Sequence, residues 1–361
     1  LDKDLEAIAR RNQGYYRGIF RPVEREIAAE VTGHGALPDD LEGEYLHIGP
    51  NPRSPLPEAG SFLYHSFDGD GMLHAVAFRK GRAFYTNRWV QTDKLRSVQD
   101  AGGREDVFSL GQALAGKMRM DVDMDFRTAE VMGRANTNVV THAGRIFALH
   151  EADKPYEIRA SWRPEQNLRT VGRTTFGGKL VHPMTAHPRV DPQSGHMMCY
   201  GINPVESPAR VHYSVINAQG EVCHHITIAL PRPVMMHDMC ITANYSVLFD
   251  FNFVFNMQDL FKGKPPWSHI ADEPARFGIL PRFAKDESEV KWFEIPPCCV
   301  FHMPGAWEEA TPEGKVVVVL GNRSASPTVS DVAGKAPPEY LYEWRFNMDT
   351  GKVVSERKLT D

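Results

Sequence analysis

The 361-residue sequence predicts an all-β chain built as a β-propeller, on three observations. Short apolar runs rich in β-branched and aromatic residues recur in pairs across Gly-containing turns, with 29 glycines and 26 prolines as punctuation. Helical periodicity is confined to two places. Small hairpins follow one another past 300 residues with no polar low-complexity linker, which favours radial repetition of small sheets over a single sandwich. No repeat of fixed length accompanies them, so a standard WD40 or kelch array is excluded.

In chain order, the first helical signal is Lys3–Arg11. A hairpin follows over Val76–Thr86, turning at Lys80-Gly81, because a glycine at the second turn position supplies the positive φ that a two-residue hairpin loop requires. The second helical signal is Asp106–Met118, where Phe108, Leu110, Leu114 and Met118 form one apolar stripe. With Lys117 and Arg119 beside it, that stripe has the composition of a short helix resting in a lipid headgroup layer, and peripheral membrane contact is expected through about 106–118. Further hairpins are predicted at Val139–Leu149, turning at Ala143-Gly144, and at Val211–Ile228, turning at Gln219-Gly220. Two more units close the pattern: Val316–Leu320 after Glu313-Gly314, and Leu341–Leu359 folding at Asp349-Thr350-Gly351.

An apolar content of 42 % suffices for a large core. The net charge is −5, from 46 acidic and 41 basic residues, so no basic surplus points to nucleic acid. Five cysteines, two of them adjacent at Cys298-Cys299, suit neither a disulfide framework nor a CxxC metal site, and a reducing, cytoplasmic compartment is expected. No stretch approaches the ~18 consecutive apolar residues of a membrane span, and no basic-then-apolar signal opens the chain. Leu1 and Asp361 read as the edges of a fragment, so the single propeller domain expected over 1–361 is expected to be incomplete at its C-terminus.

Among 15 histidines, three sit in apolar or β-rich surroundings: His187, His237 and His302, spaced 50 and 65 residues apart. Such gaps allow one histidine per blade near a common axis. Converging neutral imidazoles make a site for Fe, Zn, Cu or Ni, whereas a hard cation calls for carboxylates. Taken singly, each of the three is more often a satisfied core or surface histidine than a ligand. His196, His212, His224 and His225 read as surface residues; His182, five residues before His187, could be a pocket group, although nothing in spacing favours it. Asp68-Gly-Asp-Gly71 reads as a turn, too poor in carboxylates for an EF-hand loop. No HExxH, GxSxG or P-loop pattern is present.

Eight segments in order are more specific than any of these: Asn51-Pro52, Phe67-Asp-Gly-Asp-Gly-Met72, Ala135-Asn-Thr-Asn138, Glu151-Ala-Asp-Lys-Pro-Tyr156, Thr185-Ala-His-Pro188 with Val190-Asp-Pro192, Met235-Met-His-Asp238, Arg276-Phe-Gly-Ile-Leu-Pro281 and Ala306-Trp-Glu-Glu309. From about residue 40 to 361 they resemble the carotenoid cleavage oxygenases, and their wording is most similar to plant-type enzymes acting at the 9,10 and 9′,10′ double bonds. Tyr342-Glu-Trp-Arg-Phe-Asn-Met348 continues the likeness.

The resemblance implies a seven-bladed β-propeller with a few short helices over the active-site face, and an axial ferrous ion held by four histidines. It makes His187, His237 and His302 the first three ligands, and Glu151 a carboxylate that accepts the remote N–H of a ligand, fixing its tautomer. The family's pocket-lining positions fall on Phe67, His150 and Phe301. The implied reaction inserts both atoms of O₂ across a conjugated C=C bond of a carotenoid or apocarotenoid, giving two carbonyl products.

The chain departs from the family pattern in that the fourth histidine lies beyond this sequence, and the region Asp106–Asp125 is shorter than in plant relatives. Stilbene-cleaving members carry a lysine where this chain has His150 and a tyrosine upstream, and no tyrosine occurs between Tyr85 and Tyr156, so a polyene is favoured over a hydroxystilbene. Two rival readings stand beside the oxygenase. A propeller hydrolase with Zn²⁺ needs only three histidines and a water, or with Ca²⁺ a cluster of oxygen ligands; a non-catalytic propeller would bind apocarotenoids without cutting them.

Overall fold

The structure, a computed structural model, describes residues 21–53, 66–100, 133–161, 168–204, 206–256, 259, 267–327 and 337–360. Both helical signals of the sequence, Lys3–Arg11 and Asp106–Met118, lie outside the described residues. The chain divides into two compact units, Leu1–Val181 and His182–Asp361.

The first unit holds two four-stranded antiparallel sheets. One is formed by β1 (Ala28–Val31), β2 (Gly43–Asn51), β3 (Asp70–Arg79) and β4 (Arg82–Trp89), in the order β1-β4-β3-β2. The other is a meander of β5 (Asn138–His142), β6 (Arg145–Leu149), β7 (Tyr156–Ala160) and β8 (Leu168–Arg173). The predicted hairpins at Lys80-Gly81 and Ala143-Gly144 are present, with φ of 48° and 67° in the first turn and 50° and 70° in the second. Positive φ at both central residues matches the right-handed twist of the flanking strands. A helix at Asp93–Asp100 was not expected, and Thr92 Oγ1 caps it by accepting from Leu95 N at 3.0 Å. Among the described residues, no helix is long and apolar enough to cross a membrane.

In the second unit, β9 (Arg189–Val190), β10 (Met197–Ile202), β11 (Arg210–Ile216) and β12 (Val222–Ala229) form a meander. The next sheet contains β13 (Cys240–Ile241), β14 (Tyr245–Asp250), β17 (Ala275–Pro281) and β18 (Lys291–Ile295), with the hairpin of β15 (Phe253–Phe255) and β16 (Trp267–His269) inserted. The last sheet has β19 (Cys299–Val300), β21 (Gly314–Ser324), β22 (Tyr340–Asn347) and β23 (Lys352–Lys358) in order, and β20 (Gly305–Thr311) also pairs with β21.

The middle sheet of this unit is buried on both faces. Val247, Phe249, Phe277 and Ile279 pack with Val317, Val319, Trp344 and Phe346 of the last sheet. Leu248 and Leu280, pointing the other way, pack with Tyr213, Val215 and Ile228 of the preceding one. Because side chains alternate sides along a strand, burial on both faces requires continuous apolar runs such as Val247-Leu-Phe249 in place of polar alternation.

Candidate metal centre

Among the described residues, each of the three larger sheets of the second unit begins with a two-residue edge strand: β9, β13 and β19. His187 lies two residues before β9, His237 three before β13 and His302 two after β19, so equivalent edges supply all three. The strand edges leave backbone groups unpaired, and side chains take them up. Thr185 N donates to Tyr200 O at 2.7 Å, which seats the His187 segment on β10. Thr185 Oγ1 accepts from His187 N at 3.1 Å and donates to the His237 carbonyl at 3.3 Å, joining two of the three segments. Gly201 is required beneath them: a Cβ there would lie 1.8 Å from Pro183 O and 2.6 Å from His182 Nδ1.

The three imidazoles converge. Their ring centroids are 4.7 Å (His187–His237), 5.2 Å (His187–His302) and 5.1 Å (His237–His302) apart, with interplanar angles of 64°, 84° and 76°. One nitrogen from each lies within 4.8 Å of the others, and Nε2 of His187 is 3.0 Å from Nε2 of His237. Two nitrogens bound at about 2.1 Å to one ion, at right angles, are separated by about 3 Å, so the His187–His237 pair stands at ligand separation, and His302 is the third imidazole of a cluster of the kind that suits a transition-metal ion. Cys240 is not part of this cluster: its buried Sγ lies 3.4 Å from the Met303 carbonyl, and burial pushes its thiol up to about 12. Phe301 is buried, and its ring centroid lies 4.8 Å from that of His237, giving the centre an apolar flank.

The other residues singled out by motif belong to the first unit. Phe67 is exposed, in the 3-10 turn Ser66–Asp68, and its carbonyl accepts from Asn136 Nδ2 at 2.9 Å. His150 directly follows β6 and accepts from Ala152 N through Nδ1 at 3.1 Å; Glu151 is half-buried in the turn that follows. Sequence reasoning passed over Asp153, which is 3 % exposed, with Oδ2 3.3 Å from the Tyr156 hydroxyl and Oδ1 3.5 Å from Arg173 Nη1. Burial raises its carboxyl to about 6, against the opposing pull of Lys154 N–H and Arg173.

Two histidines expected at the surface, His212 and His225, form a second group with His182. His182 is buried, and its ring stacks with His212 and His225 at 5.6 Å each. The register of β11 and β12 is the reason: it pairs Ser214 with His225, so His212 and His225 share a face that His182 covers. Ser214 Oγ lies 2.8 Å from His182 Nε2 and 3.0 Å from His225 Nδ1, and His212 Nε2 is 2.8 Å from Glu206. His224 points to the opposite face, against Phe283.

A family model described as retinal pigment epithelial membrane protein matches residues 20–361. A carotenoid 9,10(9′,10′)-cleavage dioxygenase 1 of Phaseolus vulgaris is 37 % identical over 362 residues, covering 96 % of this chain, and the chain spans 64 % of that relative's length. Among solved structures, a variant of the Synechocystis apocarotenoid oxygenase superposes with a TM-score of 0.77 at 25 % identity, over 96 % of this chain and 72 % of the other. The lignostilbene dioxygenase of Pseudomonas brassicacearum gives 0.77 at 25 % identity, over 95 % and 69 %. The all-β architecture is thus that of the carotenoid oxygenase fold.

Proposed function

We propose a function on one premise: the chain belongs to the retinal pigment epithelial membrane protein family, which includes carotenoid cleavage dioxygenases. On that premise the chain is the larger part of a non-haem iron(II) dioxygenase that cleaves a conjugated C=C bond of a carotenoid or apocarotenoid with O₂. Two carbonyl products result. The observation that carries the reading is the convergence of His187, His237 and His302 on one point.

His187, His237 and His302 would hold ferrous iron as neutral ligands that leave its charge uncancelled, and the ion would supply the activation of O₂. The chain's own groups bind, orient and shield. Phe301 keeps water from one side of the centre, and an apolar surround suits a polyene better than a polar substrate. No side chain is needed as acid or base. Glu151 as the carboxylate behind a ligand, and Phe67 and His150 as pocket residues, rest on their motif positions. The seven-bladed propeller is supported by the run of small antiparallel sheets, three of them packed face to face in the second unit.

The test is anaerobic titration of the chain with ferrous iron, followed by an apocarotenoid in detergent under isotope-labelled O₂. About one iron per chain and label in both carbonyl products are expected. Iron binding with stoichiometric retention of intact apocarotenoid would overturn catalysis in favour of a binding protein, and preference for zinc with ester cleavage would indicate a hydrolase.

A further inference from the structure

The three histidine-bearing segments belong to three different sheets, and their two-residue edge strands give no backbone ladder between them. A single ion pair spans all three. Arg189 follows His187 by two residues, Asp238 directly follows His237, and Met303 directly follows His302. Arg189 Nη2 lies 2.6 and 2.8 Å from the two carboxylate oxygens of Asp238 and 2.9 Å from the Met303 carbonyl. Its Nε donates to the Met239 carbonyl at 2.6 Å. The Asp238 carboxylate accepts in addition from Met239 N at 2.7 Å and Met303 N at 2.8 Å. Asp238 is 4 % exposed, so the bonds its carboxylate accepts lie at a buried acceptor, where a partner lost is poorly replaced by water, while the Arg189 side chain keeps 31 % of its surface exposed.

We infer that Arg189 and Asp238 are positioning residues that hold His187, His237 and His302 at metal-binding separation; the inference rests on reading these histidines as a metal centre. A planar guanidinium presents its donors in a fixed fork, which sets distance and direction at once. Here the fork reaches carboxylate and carbonyls on two segments while its own backbone carries the third. The carboxylate reciprocates by taking the N–H of the residue after His302. Donor atoms placed within about 0.5 Å of their bound positions spare the ion the work of ordering three loops.

The test is Arg189→Lys, which keeps a cation opposite Asp238 and so leaves no buried carboxylate uncompensated, but cannot bridge both oxygens and both carbonyls. Asp238→Asn, of equal volume, removes the charge from the other side. Arg276→Lys is the control: Arg276 pairs with the 4 %-exposed Asp250 at 2.6 Å in the same unit, an ion pair that bonds to none of the three histidine segments. Each chain is titrated anaerobically with ferrous iron and with cobalt(II), whose absorption bands report ligand geometry, and the metal-free melting temperature is recorded. Arg189→Lys and Asp238→Asn are expected to lower affinity by ~10-fold or more and to alter the cobalt spectrum, while Arg276→Lys keeps both. Wild-type affinity and spectrum in Arg189→Lys and Asp238→Asn would overturn the inference, as would an equal loss in Arg276→Lys. A wild-type chain that binds neither ion removes the metal centre itself, a result distinct from loss in the variants alone.

Discussion

Nε2 of His187 and Nε2 of His237 lie 3.0 Å apart, a separation that two imidazoles reach either by sharing one proton or as neighbours on one ion. With His302 completing the group, the second alternative predicts that His237→Ala abolishes both metal retention and turnover. Elemental analysis and product formation check it. Full metal content and full activity in that variant would exclude His237 as a ligand.

Glu151→Gln is expected to lower iron retention or turnover by ~10–100-fold while the fold persists, as loss of a carboxylate behind a metal ligand commonly does. Circular dichroism and iron occupancy, measured together, separate the two effects. Unchanged occupancy and rate would leave Glu151 as an ordinary half-buried turn residue.

Asp153 sets a pH dependence. Its carboxyl rises from the usual 3.8 to about 6 on folding, chiefly through burial, so between those values the folded chain holds more protons than the unfolded one. Stability from this group is present below about pH 4 and is lost as pH rises through about 6. The shift corresponds to roughly 3 kcal/mol. Urea unfolding should show the stability of the wild type relative to Asp153→Asn falling from pH 4 to pH 7; a difference independent of pH would contradict it.

Ala143 occupies the first position of its hairpin turn at φ 50°, a conformation that a Cβ disfavours. Asn tolerates it, so Ala143→Asn should stabilise the chain by about 0.5–1 kcal/mol. A melting temperature that falls would show that the side chain at 143 has packing the turn geometry does not reveal.

Much of the fold is legible in the sequence because hairpin turns need positive φ, and Lys80-Gly81 and Ala143-Gly144 announce it. Continuous apolar runs such as Val316–Leu320 likewise mark strands with no solvent face. The two-residue strands β9, β13 and β19 are too short to show any period, although the histidines lie within three residues of their ends. Helix Asp93–Asp100 escapes for another reason: its inward side is carried by the buried Leu95 with little apolar support, and only the Thr92 cap marks its start. The site histidines could be nominated by their surroundings, yet their convergence depends on which edges meet, which spacing does not encode. His182, His212 and His225 were missed because a strand register, not a local pattern, puts them together.

The sheet of β13, β14, β17 and β18, covered on both faces, also bears on time. Amide protons exchange with solvent only when their hydrogen bonds open, and the bonds between β14 and β17 lie under two apolar layers at once. Those amides are therefore expected to exchange most slowly in the second unit, which hydrogen exchange would check. The segment bearing His237 runs directly into β13 of that sheet, so one wall of the centre is fastened to the part of the unit that opens last.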